Sequence, residues 1–153
     1  MYQKILVPLD GSELAECVLP HVEALVRGCQ VKNVVFARVV EPIYLPTGDY
    51  VPDPEQIKKL ESESKAAARD YLKKVTAKPD YAGTSLKTEV LYGKTAEVLA
   101  DYASKNQIDL IIIATHGRSG VSRWVWGSVA DRILRSSCTP VFMVRAPGCV
   151  PGI

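Results

Sequence analysis

The stretch from Ile111 to Ser128, IIIATHGRSGVSRWVWGS, gathers the residue types that hold a phosphate. A β-branched run ends in a turn of small residues, and Gly127-Ser128 then opens a helical pattern. Glycine lets a ligand approach the main chain, and the first amides of a helix lack intrahelical acceptors, so both segments favour an anion. The helix macrodipole adds roughly half a positive charge at that end. Gly117 and Gly127 then permit close approach, Ser128 offers its hydroxyl and amide, and Arg118 and Arg123 neutralise phosphate charge. His116, in the same turn, has two readings: contact with a phosphate or a transferring proton, or an imidazole bonded to its own loop.

A second group, Pro8-Leu9-Asp10-Gly11-Ser12, follows the first apolar run. A carboxylate at a strand terminus accepts hydrogen bonds from ribose hydroxyls in doubly wound folds, while Asp10-x-x-Glu13 also reads as a helix capping box. Other chemistry is missing. Gly93-Lys94-Thr95 resembles the tail of a Walker A loop, but Thr88 stands where its leading glycine belongs. No GxGxxG follows the first apolar run, and no GxSxG is present for a hydrolytic triad. His-Ile-Gly-His and Ser-Gly-Gly-x-Asp-Ser elements of adenylating enzymes are also absent, and no base is clearly placed to activate water.

The elements that must position these residues are legible in the hydrophobic pattern. Ile5 to Leu9, Val34 to Val40, Leu110 to Ala114 and Val141 to Val144 are short β-branched runs, as parallel strands buried on both faces should be. Leu86 to Leu91 alternates in polarity and reads as an edge or half-exposed strand. Helical periodicity covers Leu14 to Arg27, with a stripe of Leu14, Val18, Val22 and Leu25. It returns from Glu55 to about Lys78, through Ile57, Leu60, Ala67, Tyr71, Leu72 and Val75, ending before Pro79. A third helix starts near Thr95 as its cap. A fourth covers Ser128 to Ser136, with Ser128 and Asp131 as a capping box and Val129, Ile133 and Leu134 as its buried face. Glu41 to Pro54, with prolines at 42, 46, 52 and 54, is an irregular loop, a lid or partner-contacting surface on one reading and a variable excursion on the other.

This βαβαβαβαβ order predicts a five-stranded, parallel, doubly wound α/β sheet with helices on both faces, formed by residues 1–153 as one domain with a tail at 146–153. Ligands in such sheets sit beyond the strand carboxyl ends where strand order reverses, which directs attention to the loops after Leu9 and Ala114. A formal charge of +2 gives no overall field toward nucleic acid or anionic lipid. The opening MYQKILVPLD lacks a secretory or spanning segment, so the expected compartment is the cytoplasm and no membrane partner is expected. Cys17, Cys29, Cys138 and Cys149 form no CxxC pair and read as reduced thiols, with Cys17 and Cys138 acting as small hydrophobes.

At these residues the sequence resembles the universal stress protein family, in particular its ATP-binding branch, over essentially the whole chain. That branch carries Gly-x-x-Gly, nine residues, then Gly followed by Ser or Thr; here Ala114-Thr115-His116-Gly117 is followed by nine residues and then Gly127-Ser128. Ala114 departs from the pattern's first glycine, at little cost if φ is negative there and with strain and crowding of a triphosphate if it is positive. The resemblance implies ATP as ligand, and Ala114 leaves AMP or a cyclic nucleotide open; the sequence leaves open whether magnesium accompanies it, and with no dedicated carboxylate cluster a metal would be held by phosphate oxygens and water. It places Pro8, Asp10 and Val39 at the adenosine, Ile113 near the base, and Gly117, Gly127, Ser128 and Val129 around the phosphates. With Ser12, Ala114, His116 and Arg118 from the two motifs, these form the candidate nucleotide-binding set. The resemblance also implies a homodimer through Val141 to Val144 and a regulatory role in which any ATP hydrolysis is slow. A true ATPase or adenylating enzyme and a nucleotide-free interaction module are the competing readings.

Overall fold

The computed structural model of the protein describes residues 2–43, 53–77, 81, 83–115 and 127–145. The strands are β1 (Lys4–Pro8), β2 (Asn33–Val40), β3 (Ser85–Tyr92), β4 (Leu110–Ala114) and β5 (Val141–Val144). The helices are α1 (Leu19–Cys29), α2 (Pro54–Thr76), α3 (Thr95–Lys105) and α4 (Ser128–Ser136), with a 3₁₀ turn at Ala15–Val18 ahead of α1. All strand pairs are parallel, in the order β3-β2-β1-β4-β5. The alternating strand read as an edge or half-exposed member is β3, at the edge of the sheet.

Each buried strand sends side chains into two layers, as the period of two requires. Ile5, Val7, Val34, Phe36, Leu110 and Ile112 meet Val22 and Val26 of α1 and Leu72 and Val75 of α2 on one face. Leu6, Val35, Ala37, Ile111 and Ile113 meet Ala96, Leu99 and Ala103 of α3 and Ala130 and Ile133 of α4 on the other. The carboxylate of Asp109 ties the start of β1 to that of β4, accepting the amides of Gln3 and Lys4, each at 2.8 Å.

Several local expectations give way to stronger constraints. The helix read from Leu14 to Arg27 is divided, because Pro20 lacks an N–H and suits only the first turn of an α-helix; the preceding turn is 3₁₀. Asp10 and Glu13 form no capping box: Asp10 Oδ1 accepts the Ser12 amide at 2.9 Å and its hydroxyl at 2.6 Å, and Ser12 Oγ accepts the Ala15 amide at 3.2 Å. Pro54, read as loop, is the first residue of α2, where a missing N–H costs nothing, and Asp53 caps the helix by accepting the Glu55 amide at 3.0 Å. Residues 44–52 of the expected loop and the tail from 146 lie outside the described residues.

The apolar stripes are also narrower than read. At 23 residues α2 is about 34 Å long at 1.5 Å per residue, so its first half overhangs the sheet and Leu60 is 51% exposed. In α4 the buried residues are Ala130 and Ile133, while Leu134 faces outward. Cys17 is half-buried against the first layer, and burial pushes its thiol pKa up; Cys138 is exposed, so the hydrophobic role read for it does not hold. Cys149 lies outside the described residues.

Phe36 is fully buried at the centre of the first layer, with Tyr81 packed against it at 6.0 Å between ring centroids. The Tyr81 hydroxyl is buried without a hydrogen-bond partner among the described residues, and desolvation pushes its pKa up to about 12. Chemical denaturation separates the two rings: Phe36→Ala is expected to cost about 3–5 kcal/mol, whereas Tyr81→Phe, which removes a hydroxyl with no partner among the described residues and keeps the ring, should be neutral or stabilising.

Candidate functional site

The strand order reverses at β1, with β2 and β3 on one side and β4 and β5 on the other. Beyond the carboxyl ends at this reversal lies a cleft of about 460 Å³, a size suited to a small ligand. Pro8, Leu9, Asp10 and Ala15 line it from β1 and the turn that follows, and Ala37, Arg38, Val39 and Glu41 from β2 and its end. Thr95 and Leu99 enter from α3, Ile113, Ala114 and Thr115 from β4, and Gly127 to Ala130 from the start of α4.

Of the residues named from sequence, Pro8, Asp10, Val39, Ile113, Ala114, Gly127, Ser128 and Val129 are brought together here. Ser12 does not line the cleft; its hydroxyl is spent within the Asp10 turn. His116, Gly117, Arg118 and Arg123 lie outside the described residues. The described non-glycine residues with positive φ are Gln30 and Gln107, so Ala114 is in ordinary extended backbone without strain, and its methyl packs in the first core layer.

The turn after β4 and the start of α4 meet directly, since the Gly127 amide donates to the Thr115 carbonyl at 2.6 Å. The Thr115 amide in turn donates to Val144 at 2.8 Å. Those two amides are therefore engaged within the protein. The intrahelical ladder of α4 begins with the Asp131 amide bonding to the Gly127 carbonyl at 3.0 Å. The amides of Ser128, Val129 and Ala130 precede it and have no partner within the helix. Gly127, not Ser128, is the N-cap, with no side-chain cap bond, and Asp131 pairs with Arg135 at 3.0 Å instead of closing a capping box.

The helix on the same face is treated differently. Thr95 does not cap α3; Lys94 occupies that position with no side-chain bond. Instead the Thr95 amide and hydroxyl both donate to Glu41 Oε1, at 3.1 and 2.6 Å. The Thr95 hydroxyl, then its amide, hold the Glu41 carboxyl below the usual range against a small opposing effect of burial, with a further lowering by Arg132. A protein anion thus already occupies the positive end of α3, whereas the N-cap of α4, Gly127, supplies no side-chain acceptor. Glu41 escaped the sequence reading because its partner lies 54 residues away, with no local pattern to signal it.

The walls are mostly apolar. Val39, Leu99 and Ile113 present aliphatic surface on the face of α3 and α4, and Asp10 lines the cleft from the turn after β1. Among the described residues no group of three His, Cys, Asp or Glu side chains is arranged to hold a metal ion, and no helix is long and apolar enough to cross a membrane.

Comparison with known proteins follows the same outline. The model of the universal stress protein family matches residues 1–145. Universal stress protein MJ0531 of Methanocaldococcus jannaschii is 31% identical over 149 residues, covering 96% of this chain and 84% of that protein. Among solved structures, universal stress protein UspA from Lactobacillus plantarum superposes with a TM-score of 0.77 at 25% identity, covering 94% of this chain and 98% of its own. Two more distant structures share the fold: a universal stress protein in complex with cAMP, TM-score 0.64 at 19% identity over 95% of this chain and 98% of its own, and a family member from Arabidopsis thaliana with AMP bound, TM-score 0.66 at 16% identity over 95% and 93%.

The Glu41 cap sets a pH dependence. A carboxyl depressed in the folded state stabilises above its unfolded pKa, about 4.3, and loses that contribution as pH falls through the lower folded value. Glu41→Ala is expected to cost about 0.5–2 kcal/mol near neutral pH, the range of helix caps. Urea titrations on acidification should show the gap between wild type and variant closing.

Proposed function

The chain belongs to the universal stress protein family, and from that premise we propose that its cleft binds an adenine nucleotide, ATP or a close relative such as AMP or a cyclic nucleotide. Binding itself is the function, in a regulator of the stress response. The observation that carries this reading is the start of α4: the amides of Ser128, Val129 and Ala130 open on an apolar-walled cleft at the strand-order reversal. The phosphates rest on those amides, with Gly127 and Ser128 at the point of closest approach. Val39 and Ile113 border the base and ribose with Pro8, and Asp10 accepts a ribose hydroxyl. Magnesium, where present, is held by phosphate oxygens and water.

The cleft fits such a ligand in size and in charge. An adenine needs aliphatic walls and a few polar groups, which Val39, Leu99 and Ile113 supply beside the main chain of β2 and β4. Two proteins of this fold were solved with cAMP and with AMP; their likeness bears on the fold, and the chemistry of this cleft bears on the ligand. Occupancy is read out through Glu41, which lines the cleft, grips Thr95 and continues into the segment before α2. The reading extends to a homodimer along β5, an edge strand bounded by Pro140 and Arg145 whose Phe142 is 41% exposed.

Titration calorimetry with ATP and AMP tests the reading. Wild type should bind at least one, and Gly127→Val combined with Ser128→Ala should weaken it by about tenfold or more, the value of one lost hydrogen bond to a charged group, with an unchanged circular dichroism spectrum. No binding to wild type, or equal binding to the folded double variant, would overturn it.

A further inference from the structure

A cation lines the same cleft that the α4 site does not use. Arg38 follows Phe36 by two on β2, so its side chain leaves the sheet on the face of α1 and α2, opposite α4. There its guanidinium is clamped. It lies over the ring of Tyr71 in α2, 5.2 Å from the centroid. On its other side is the turn after β1, where a Cβ at Gly11 (φ +87°) would stand 3.0 Å from Nη1 and from Cζ. Gly11 therefore serves close approach of the guanidinium as well as its own positive φ.

Despite this confinement the guanidinium makes no ion pair among the described residues. The carboxylate best placed by layer, Glu16, accepts instead the hydroxyl of Tyr71 at 3.1 Å. A half-buried arginine over an aromatic ring, with no carboxylate partner among the described residues, has planar N–H donors suited to an incoming oxyanion. Asp10 heads the same turn, with Oδ1 fixed by the amide and hydroxyl of Ser12. In doubly wound folds an acid reads a free ribose hydroxyl, while a nearby arginine accommodates a phosphate on the ribose. Both residue types line this one cleft, with the helix N-terminus that suits a 5′-phosphate on the opposite face.

We infer that Arg38 forms a second anion subsite, for a phosphoryl group on the 2′ or 3′ oxygen of the ribose. The preferred ligands are then adenine nucleotides phosphorylated on the sugar as well as at the 5′ position. This rests on the nucleotide reading of the cleft and narrows it. Tyr71 packs under the guanidinium, Gly11 leaves room for it, and the distance between the two faces of the sheet separates the two phosphates.

The test is the ratio of affinities, by titration calorimetry on the full chain, for adenosine 2′,5′-bisphosphate or adenosine 3′,5′-bisphosphate against AMP. In wild type at least one bisphosphate should bind about tenfold more tightly than AMP, the gain from one charge-assisted contact. Arg38→Gln should bring that ratio to about one, and Arg38→Lys, which keeps the charge without the fork, should leave it between the two. A wild-type ratio of one or below, or a ratio that survives in folded Arg38→Gln, overturns the subsite while leaving AMP binding in place. Binding of none of the ligands overturns the nucleotide reading and the subsite together.

Discussion

The two-sided burial of β1 governs the rest of the structure. Ile5, Leu6 and Val7 are all fully buried, so the strand must have a parallel neighbour on each side and a helical layer on each face. The chain satisfies this by winding outward from β1 through β2 to β3 with α1 and α2 on one face, then returning to β4 and β5 with α3 and α4 on the other. Right-handed crossovers oblige the change of face when the direction of winding reverses. The described elements that follow β1 and β4, the 3₁₀ turn and α4, therefore pack on opposite faces, and the cleft opens between them. Its position follows from core packing, before any residue lining it is chosen.

Charge then decides which part of that gap can receive an anion. Two helices on one face present their N-termini near it, and the fold treats them unequally. Glu41 answers the positive end of α3 with a carboxylate of the protein itself, whereas α4 starts at a glycine that contributes no side-chain acceptor. The asymmetry gives the cleft a direction: its unanswered helix end lies at α4, and Val39, Leu99 and Ile113 supply aliphatic wall. On the opposite face, Arg38 adds positive charge over the ring of Tyr71, with no carboxylate partner among the described residues.

The strands were legible because fully buried β-branched runs such as Leu110 to Ala114 have few alternative uses, and two of the five strand limits agree to the residue. The switch-point loops could be named for the same reason, and eight of the candidate residues do line one cleft. Helix caps were not legible, even where the capping group is local. Asp53 was absorbed into a loop by the prolines around it, and Ser12 was passed over for Asp10. The cap of α3 comes from Glu41, whose nearness to Thr95 is created by the sheet register and by no sequence pattern. Arg38 lies inside the Val34 to Val40 run, where no sequence pattern singles it out; its nearness to Tyr71 and Gly11 is created by the fold.

The central place of β1 also shapes how the chain acquires its fold. Ile5 pairs with Leu110, and Lys4 bonds to the carboxylate of Asp109, a separation of 105 residues along the chain. At 5–20 residues per second of synthesis, the interval before that partner appears is on the order of 5–20 s. Throughout it, a β1–β2 pair would expose an apolar strand edge with nothing to cover it, the kind of surface that invites association with neighbouring chains. The nascent protein is thus most vulnerable to aggregation along the strand that becomes its most protected.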